Sequence, residues 1–252
     1  MSEFLGTAML ILLGAGVCAT TGLKGSKGLG AGWLAVNFGW GLAVFSGVLV
    51  AFQTGGHLNP AVTLGVAFSK LGTENPEFVP GVPVNAGVIC IYILAQLLGA
   101  IVGAVLCYLT FFKQYNMQQD AGAKLGTFAT GPAVKSPLWN TITEIVATFV
   151  LVFVVLVSGY QGNSGDLGWL NALGVAFLIV AIGVSLGGPT GYAINPARDL
   201  GPRIAFALLP MKGGKGSADW GYAWIPVFGP IIGGLIAGAV FIGYNAIMVP
   251  AV

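Results

Sequence analysis

Apolar residues in this chain neither alternate nor return every third or fourth position; they run on. Six stretches, at about 3–22, 33–53, 86–112, 137–158, 169–186 and 223–247, are almost unbroken in apolar and small residues. A helix needs about 20 residues, range roughly 17–25, to cross a bilayer. All six runs qualify as spans, and 86–112 must tilt or protrude.

Two polar interruptions carry the same phrase. Asn59-Pro60-Ala61 follows Thr54-Gly55-Gly56-His57-Leu58, and Asn195-Pro196-Ala197 follows Gly187-Gly188-Pro189-Thr190-Gly191-Tyr192-Ala193-Ile194. Asn is a good N-cap, and Pro at the first helical position loses no hydrogen bond. Each phrase therefore starts a helix. The apolar segments that follow, Pro60 to Lys70 and Pro196 to about Leu208, are short. Eleven residues rise about 16 Å as a helix, roughly half of a ~30 Å hydrocarbon core. Both segments read as half-helices that enter the membrane and return. Irregular backbone at that depth is tolerated only when buried in protein or lining a wet cavity.

The halves of the chain match. Glu3 opens the first run and Glu144 lies early in the fourth. Glu3 precedes Asn59 by 59 − 3 = 56 residues, and Glu144 precedes Asn195 by 195 − 144 = 51. Each half reads span, span, half-helix, span. Three spans per half is an odd number, so the second half runs through the membrane upside down, as an inverted repeat. The expected organisation is one channel domain, 1–252, with a first repeat 1–112, a polar connector 113–136 and an inverted second repeat 137–252. The fold class is an all-α membrane protein of six transmembrane helices and two re-entrant half-helices around a central pore. The two half-helices would meet N-terminus to N-terminus near the midplane. Each end carries about half a positive charge, and the pair repels cations and hydronium.

Composition agrees. The 252 residues are 56% hydrophobic and 7% charged, with 41 glycines, where a soluble domain carries about 25% charged residues. A net charge of +2 points to no nucleic-acid or acidic partner. Cys18, Cys90 and Cys107 lie in apolar runs without metal-ligand spacing and read as buried thiols. The N-terminus lacks a basic region and reads as a retained span, not a signal peptide. Gly99/Gly103, Gly229/Gly233 and Gly234/Gly238 predict close helix crossings, within one chain or between chains.

The candidate residues follow from placement. Asn59 and Asn195 can cap with the side-chain oxygen and turn their amide N–H groups to a pore, each donating to a passing water or hydroxyl oxygen. Arg198, the one strong base in the first turn of the second half-helix, would repel cations and donate to hydroxyls. Asp199 suits the positive helix end, and Asp199 to Arg203 is the favourable acid-to-base spacing; both read as structural. Glu3 and Glu144 would accept backbone N–H groups of the re-entrant loops; the rival role, a proton relay, lacks a second acid or Lys. The carbonyls of Gly55, Gly56 and His57, and of Gly191, Tyr192 and Ala193, should form a ladder of acceptors. His57 reads as a loop-fixing residue with its ring bonded to backbone. No Ser/Cys partner, second His or paired carboxylates accompany it, so the chain is not read as an enzyme, and no metal or cofactor is expected.

With these residues in view, the chain resembles the aquaporin superfamily (major intrinsic proteins), in its glycerol-facilitator branch. Asn-Pro-Ala in two half-helices, with a Glu-led span in each half, carries the resemblance over almost the whole length. Asp199 after Arg198, Arg203, Tyr108 in the third span and Pro226-Val227 at the last span point to the glycerol branch. The resemblance implies a selectivity constriction of Trp40, Gly183, Tyr192 and Arg198. Gly183 stands where water-selective relatives carry His, and so leaves room. Trp40 and Tyr192 would form an apolar corner for a polyol's carbons, while Arg198 and backbone carbonyls take its hydroxyls; an interfacial belt is the rival reading for both aromatics. The resemblance also implies His57 on the pore wall and a homotetramer with one pore per subunit.

The expected function is a passive channel in the cell (plasma) membrane for glycerol and other small uncharged solutes, with some water, excluding protons and ions. The alternatives are a preference for water, urea, dihydroxyacetone or lactic acid, and, from another class, an inverted-repeat secondary transporter. The latter would need coupling-ion ligands, and the sequence shows no such set of acids. Family orientation places both termini in the cytoplasm. Lys24, Lys27, Lys113, Lys124, Lys135, Lys212 and Lys215 then lie outside, against the positive-inside tendency. The orientation kept is the family's, because the motif is more specific than loop charge.

Overall fold

The long apolar runs become helices because their backbone polar groups have no water to turn to and must pair within the segment. A computed structural model describes residues 1–159 and 168–248. The membrane-spanning helices are α1 (Ser2–Gly22), α2 (Gly32–Val50), α4 (Ala86–Thr110), α7 (Pro137–Ser158), α8 (Ala172–Leu186), which reaches membrane length together with the turn from Gly168, and α10 (Ile225–Met248). The two half-helices are α3 (Pro60–Ser69) and α9 (Pro196–Leu208). Two short helices, α5 (Phe112–Met117) and α6 (Ala121–Gly126), fold the connector, and a small hairpin, β1 (Glu77–Val79) with β2 (Val82–Pro83), lies between α3 and α4.

Several boundaries differ from expectation. The second run was expected to reach residue 53, but α2 stops at Val50 and a tight 3₁₀ turn, Phe52–Thr54, follows. Gly55 and Gly56 come next at φ +82 and +60, a backbone that cannot continue a helix. The fifth run opens with a similar turn, Gly168–Asn171, before α8. The hairpin was not foreseen; its turn is Pro80-Gly81, with Gly81 at φ +82. The connector also contributes buried residues, among them Tyr115, Lys124 and Phe128. Lys124 Nζ donates to the carbonyls of Lys212 at 2.6 Å and Gly213 at 3.1 Å, tying the connector to the loop after α9.

Packing repeats between the halves. α1 packs against α2 and α4, and α7 against α8 and α10. Each half-helix leans on the last helix of the other half, α3 on α10 and α9 on α4. Glycines permit the contacts of α4 with α1 and of α10 with α7. A Cβ at Gly99 would lie 2.2 Å from the Phe4 carbonyl oxygen, and one at Gly233 2.4 Å from that of Ile145. These two carbonyls belong to the residues just after Glu3 and Glu144. The close crossings are thus within one chain. Cys107 is buried, but Cys90 is exposed, against expectation. An apolar run says that a helix sits in lipid, not which of its faces meets protein.

Candidate pore and selectivity site

Each Asn caps its half-helix as its sequence position demands. Asn59 Oδ1 accepts the Ala61 N–H at 2.8 Å; Asn195 Oδ1 accepts those of Ala197 and Arg198 at 3.0 and 3.1 Å. The amide nitrogens were expected to face the pore freely. Instead, each donates one hydrogen bond across the junction between halves. Asn59 Nδ2 reaches the Ile194 carbonyl at 2.7 Å, and Asn195 Nδ2 the Leu58 carbonyl at 2.9 Å. An amide has two N–H donors, so one on each Asn remains for the cavity, which both residues line.

Leu58 and Ile194 sit at φ +53 and +45, a region costly for an ordinary side chain and most of all for a β-branched one. Each is gripped from both ends. Glu3 accepts the N–H of His57 at 3.0 Å and of Leu58 at 2.7 Å. Glu144 accepts those of Ala193 at 3.0 Å and Ile194 at 2.8 Å. The other half's Asn holds the carbonyl. Gln96 Nε2 adds a bond to Glu3 at 2.8 Å. The strained backbone is therefore over-determined, as persistence of such conformations requires.

A cavity of about 310 Å³ is lined by both Asn residues, the loops before them, and side chains of α1, α2, α3, α7 and α8. Gly55, Gly56, His57, Tyr192 and Ala193 line it. Gly191 does not; its N–H closes a turn onto the Gly187 carbonyl at 2.8 Å. The His57 ring meets a side chain, where a bond to backbone was expected of a loop-fixing residue. It lines the cavity, and its Nδ1 lies 3.1 Å from Thr63 Oγ1.

Trp40, Tyr192 and Arg198 all line the cavity. Their arrangement differs from two facing walls. The Arg198 guanidinium carbon lies 3.9 Å from the Trp40 ring centroid, a cation–π stack. Arg198 Nη1 reaches toward the Phe128 carbonyl at 3.4 Å, and Trp40 Nε1 toward Cys18 Sγ at 3.3 Å. Gly183 does not line the cavity. It stands behind Tyr192: a Cβ there would meet Tyr192 Cζ at 2.6 Å and Asn37 Oδ1 at 2.0 Å. The room that Gly183 leaves is filled by the tyrosine ring.

Asp199 and Arg203 are fully buried and paired at 2.8 Å. Asp199 also accepts the Thr130 N–H and hydroxyl, each at 2.7 Å, and Arg203 donates to the carbonyls of Ala218 at 2.6 Å and Thr130 at 2.8 Å. This network fixes α9 to the connector. Tyr108 donates to the Pro210 carbonyl at the other end of α9. Sequence reasoning missed Trp33, whose Nε1 donates to the Gly183 carbonyl at 3.2 Å and whose ring meets Tyr192 edge-on. It also missed Phe128 and Thr130. An aromatic opening the second run was the one signal for Trp33; nothing local marks the connector residues.

A family model described as Major intrinsic protein matches residues 1–241. The chain belongs to the major intrinsic protein family. Among its relatives, it is 49% identical to the glycerol uptake facilitator protein of Bacillus subtilis, over 97% of this chain and 82% of that one. It is 47% identical to glycerol uptake facilitator protein 3 of Lactiplantibacillus plantarum, over 96% and 94%. Among solved structures, it resembles the aquaglyceroporin of Plasmodium falciparum with a TM-score of 0.78 at 30% identity, covering 99% of this chain and 95% of that one. With six helices long and apolar enough to cross a membrane among the described residues, this member of the family is an integral membrane protein.

Proposed function

We propose that this major intrinsic protein is a passive channel for glycerol and other small uncharged solutes, with some water, in the cell membrane. One observation carries the reading. A single cavity joins the two capped half-helix ends, Asn59 and Asn195, to a station where Arg198 lies on Trp40 beside Tyr192. Polar donors and aromatic surface share that station. A polyol can leave its carbons on the rings and its hydroxyls on the guanidinium and on loop carbonyls, replacing the water it sheds. The free amide N–H on each Asn donates to the passing oxygen and turns its protons outward. Together with the two positive helix ends and Arg198, this interrupts proton and cation passage. The names of the relatives support glycerol as the solute. The same reading takes 1–112 and 137–252 as inverted repeats joined by 113–136, a homotetramer with a pore in each subunit, and cytoplasmic termini.

The test is light scattering from proteoliposomes under water and glycerol gradients. Osmotic shrinkage followed by fast glycerol-driven reswelling is expected, without saturation and without an ion gradient. Shrinkage with no faster reswelling than in empty liposomes would remove glycerol. Saturable, ion-dependent uptake would mark a transporter.

A further inference from the structure

The hairpin between α3 and α4 lies apart from Arg198, Trp40 and Tyr192, yet it reaches the cavity. Because α3 re-enters, the hairpin stands on the membrane face from which the first half-helix comes. Arg198 and Tyr192 belong to the opposite face. Phe78 and Val79 line the same cavity as Asn59 and Arg198.

Phe78 is held firmly. Its ring meets His57 edge-to-face at 4.9 Å and Tyr92 at 5.2 Å between centroids. His57 is itself tied to Thr63 and Glu3. Tyr92 donates to the Thr54 carbonyl at 3.0 Å. The hairpin is closed by the Val84 N–H on the Pro76 carbonyl at 2.8 Å, next to the register pair Glu77–Pro83. Beside this fixed ring, Gly55, Gly56 and His57 also line the cavity. An apolar face next to backbone acceptors is the chemistry that a polyol needs. Water has no carbon to place on the ring and gains nothing from it.

We propose that Phe78 is a second solute-contacting constriction, at the mouth opposite Arg198, and discriminates polyols from water there. The proposal rests on the reading of the chain as a glycerol-conducting channel. The parent protein is therefore measured first. A parent without glycerol flux overturns that reading, whereas normal parent flux with unaffected variants overturns only the role of Phe78.

Phe78→Cys in the full chain is treated with a cationic methanethiosulfonate. Its neighbour Glu77→Cys is the control, because Glu77 is exposed and does not line the cavity. Labelling is counted by mass against the treated parent. Modified Phe78→Cys should lose glycerol flux by about tenfold, equivalent to about 1.4 kcal/mol of added barrier, while Glu77→Cys and the parent keep theirs. A Phe78→Cys protein that labels fully without losing flux, or that does not label, overturns the proposal. Phe78→Trp gives a second reading that keeps an aromatic contact to His57. It should slow glycerol more than water. An equal fall in both, or no fall, means that Phe78 only packs the hairpin.

Discussion

Asn59 donates its side-chain amide to the carbonyl of Ile194 at 2.7 Å, across 135 positions of sequence. Its counterpart, Asn195 to Leu58, spans 137. The two half-helices are therefore latched, each by the other's cap, at two residues held in the left-handed backbone region. The latch separates two jobs of one side chain, capping and cross-linking.

Replacing Asn59 tests that separation. Asn59→Asp keeps an acceptor for the Ala61 N–H but cannot donate to Ile194 when ionised. It should lose about 1–3 kcal/mol of stability, the usual effect of orphaning a buried acceptor. Asn59→Ala also loses the cap and should cost about 1 kcal/mol more. Only Asn59→Asp puts negative charge into the pore, so only it should admit cations. Thermal unfolding in detergent and cation leak into dye-loaded liposomes check these outcomes.

Glu144→Gln turns one of two accepting oxygens into a donor that faces a backbone N–H. With Ala193 and Ile194 both bonded to this carboxylate, the re-entrant loop should loosen. We expect a loss of about 1–3 kcal/mol, together with slower water and glycerol flux. Glu3→Gln should act in the same direction through His57 and Leu58. Unchanged unfolding temperature with flux abolished would instead point to a proton-relay role.

Gly183 acts through Tyr192. Even Gly183→Ala sets a Cβ 2.0 Å from Asn37 Oδ1 and 2.6 Å from Tyr192 Cζ, so both side chains must shift, and the tyrosine ring is displaced along the cavity it lines. Glycerol flux should fall more than water flux. Adding Tyr192→Ala should restore much of it. A double variant as slow as the single one would show that Gly183 matters for another reason.

Asp199→Asn leaves Arg203 as a charge buried without its partner. Breaking such a pair typically costs about 3–5 kcal/mol. The Thr130 contacts would weaken as well, so hydrogen exchange should rise at 128–130 and 218–219 along with a lower unfolding temperature. A fall in flux with neither change would place Asp199 in conduction itself.

The sequence by itself determined the six spans, the two half-helix starts and the inversion. These rest on local rules, namely length against bilayer thickness, Asn-Pro capping and the parity of crossings. The grip of Glu3 and Glu144 on the loops was also legible, because a carboxylate in lipid needs donors and only the loops offered them. Tertiary structure alone decided which carbonyl each Asn amide meets, that Arg198 lies on Trp40, that Gly183 makes room for Tyr192, and that the 77–83 hairpin brings Phe78 to the pore. The reason is physical. Those contacts form between segments that no local signal pairs, and their geometry is set by how closely glycine-faced helices approach in the packed fold.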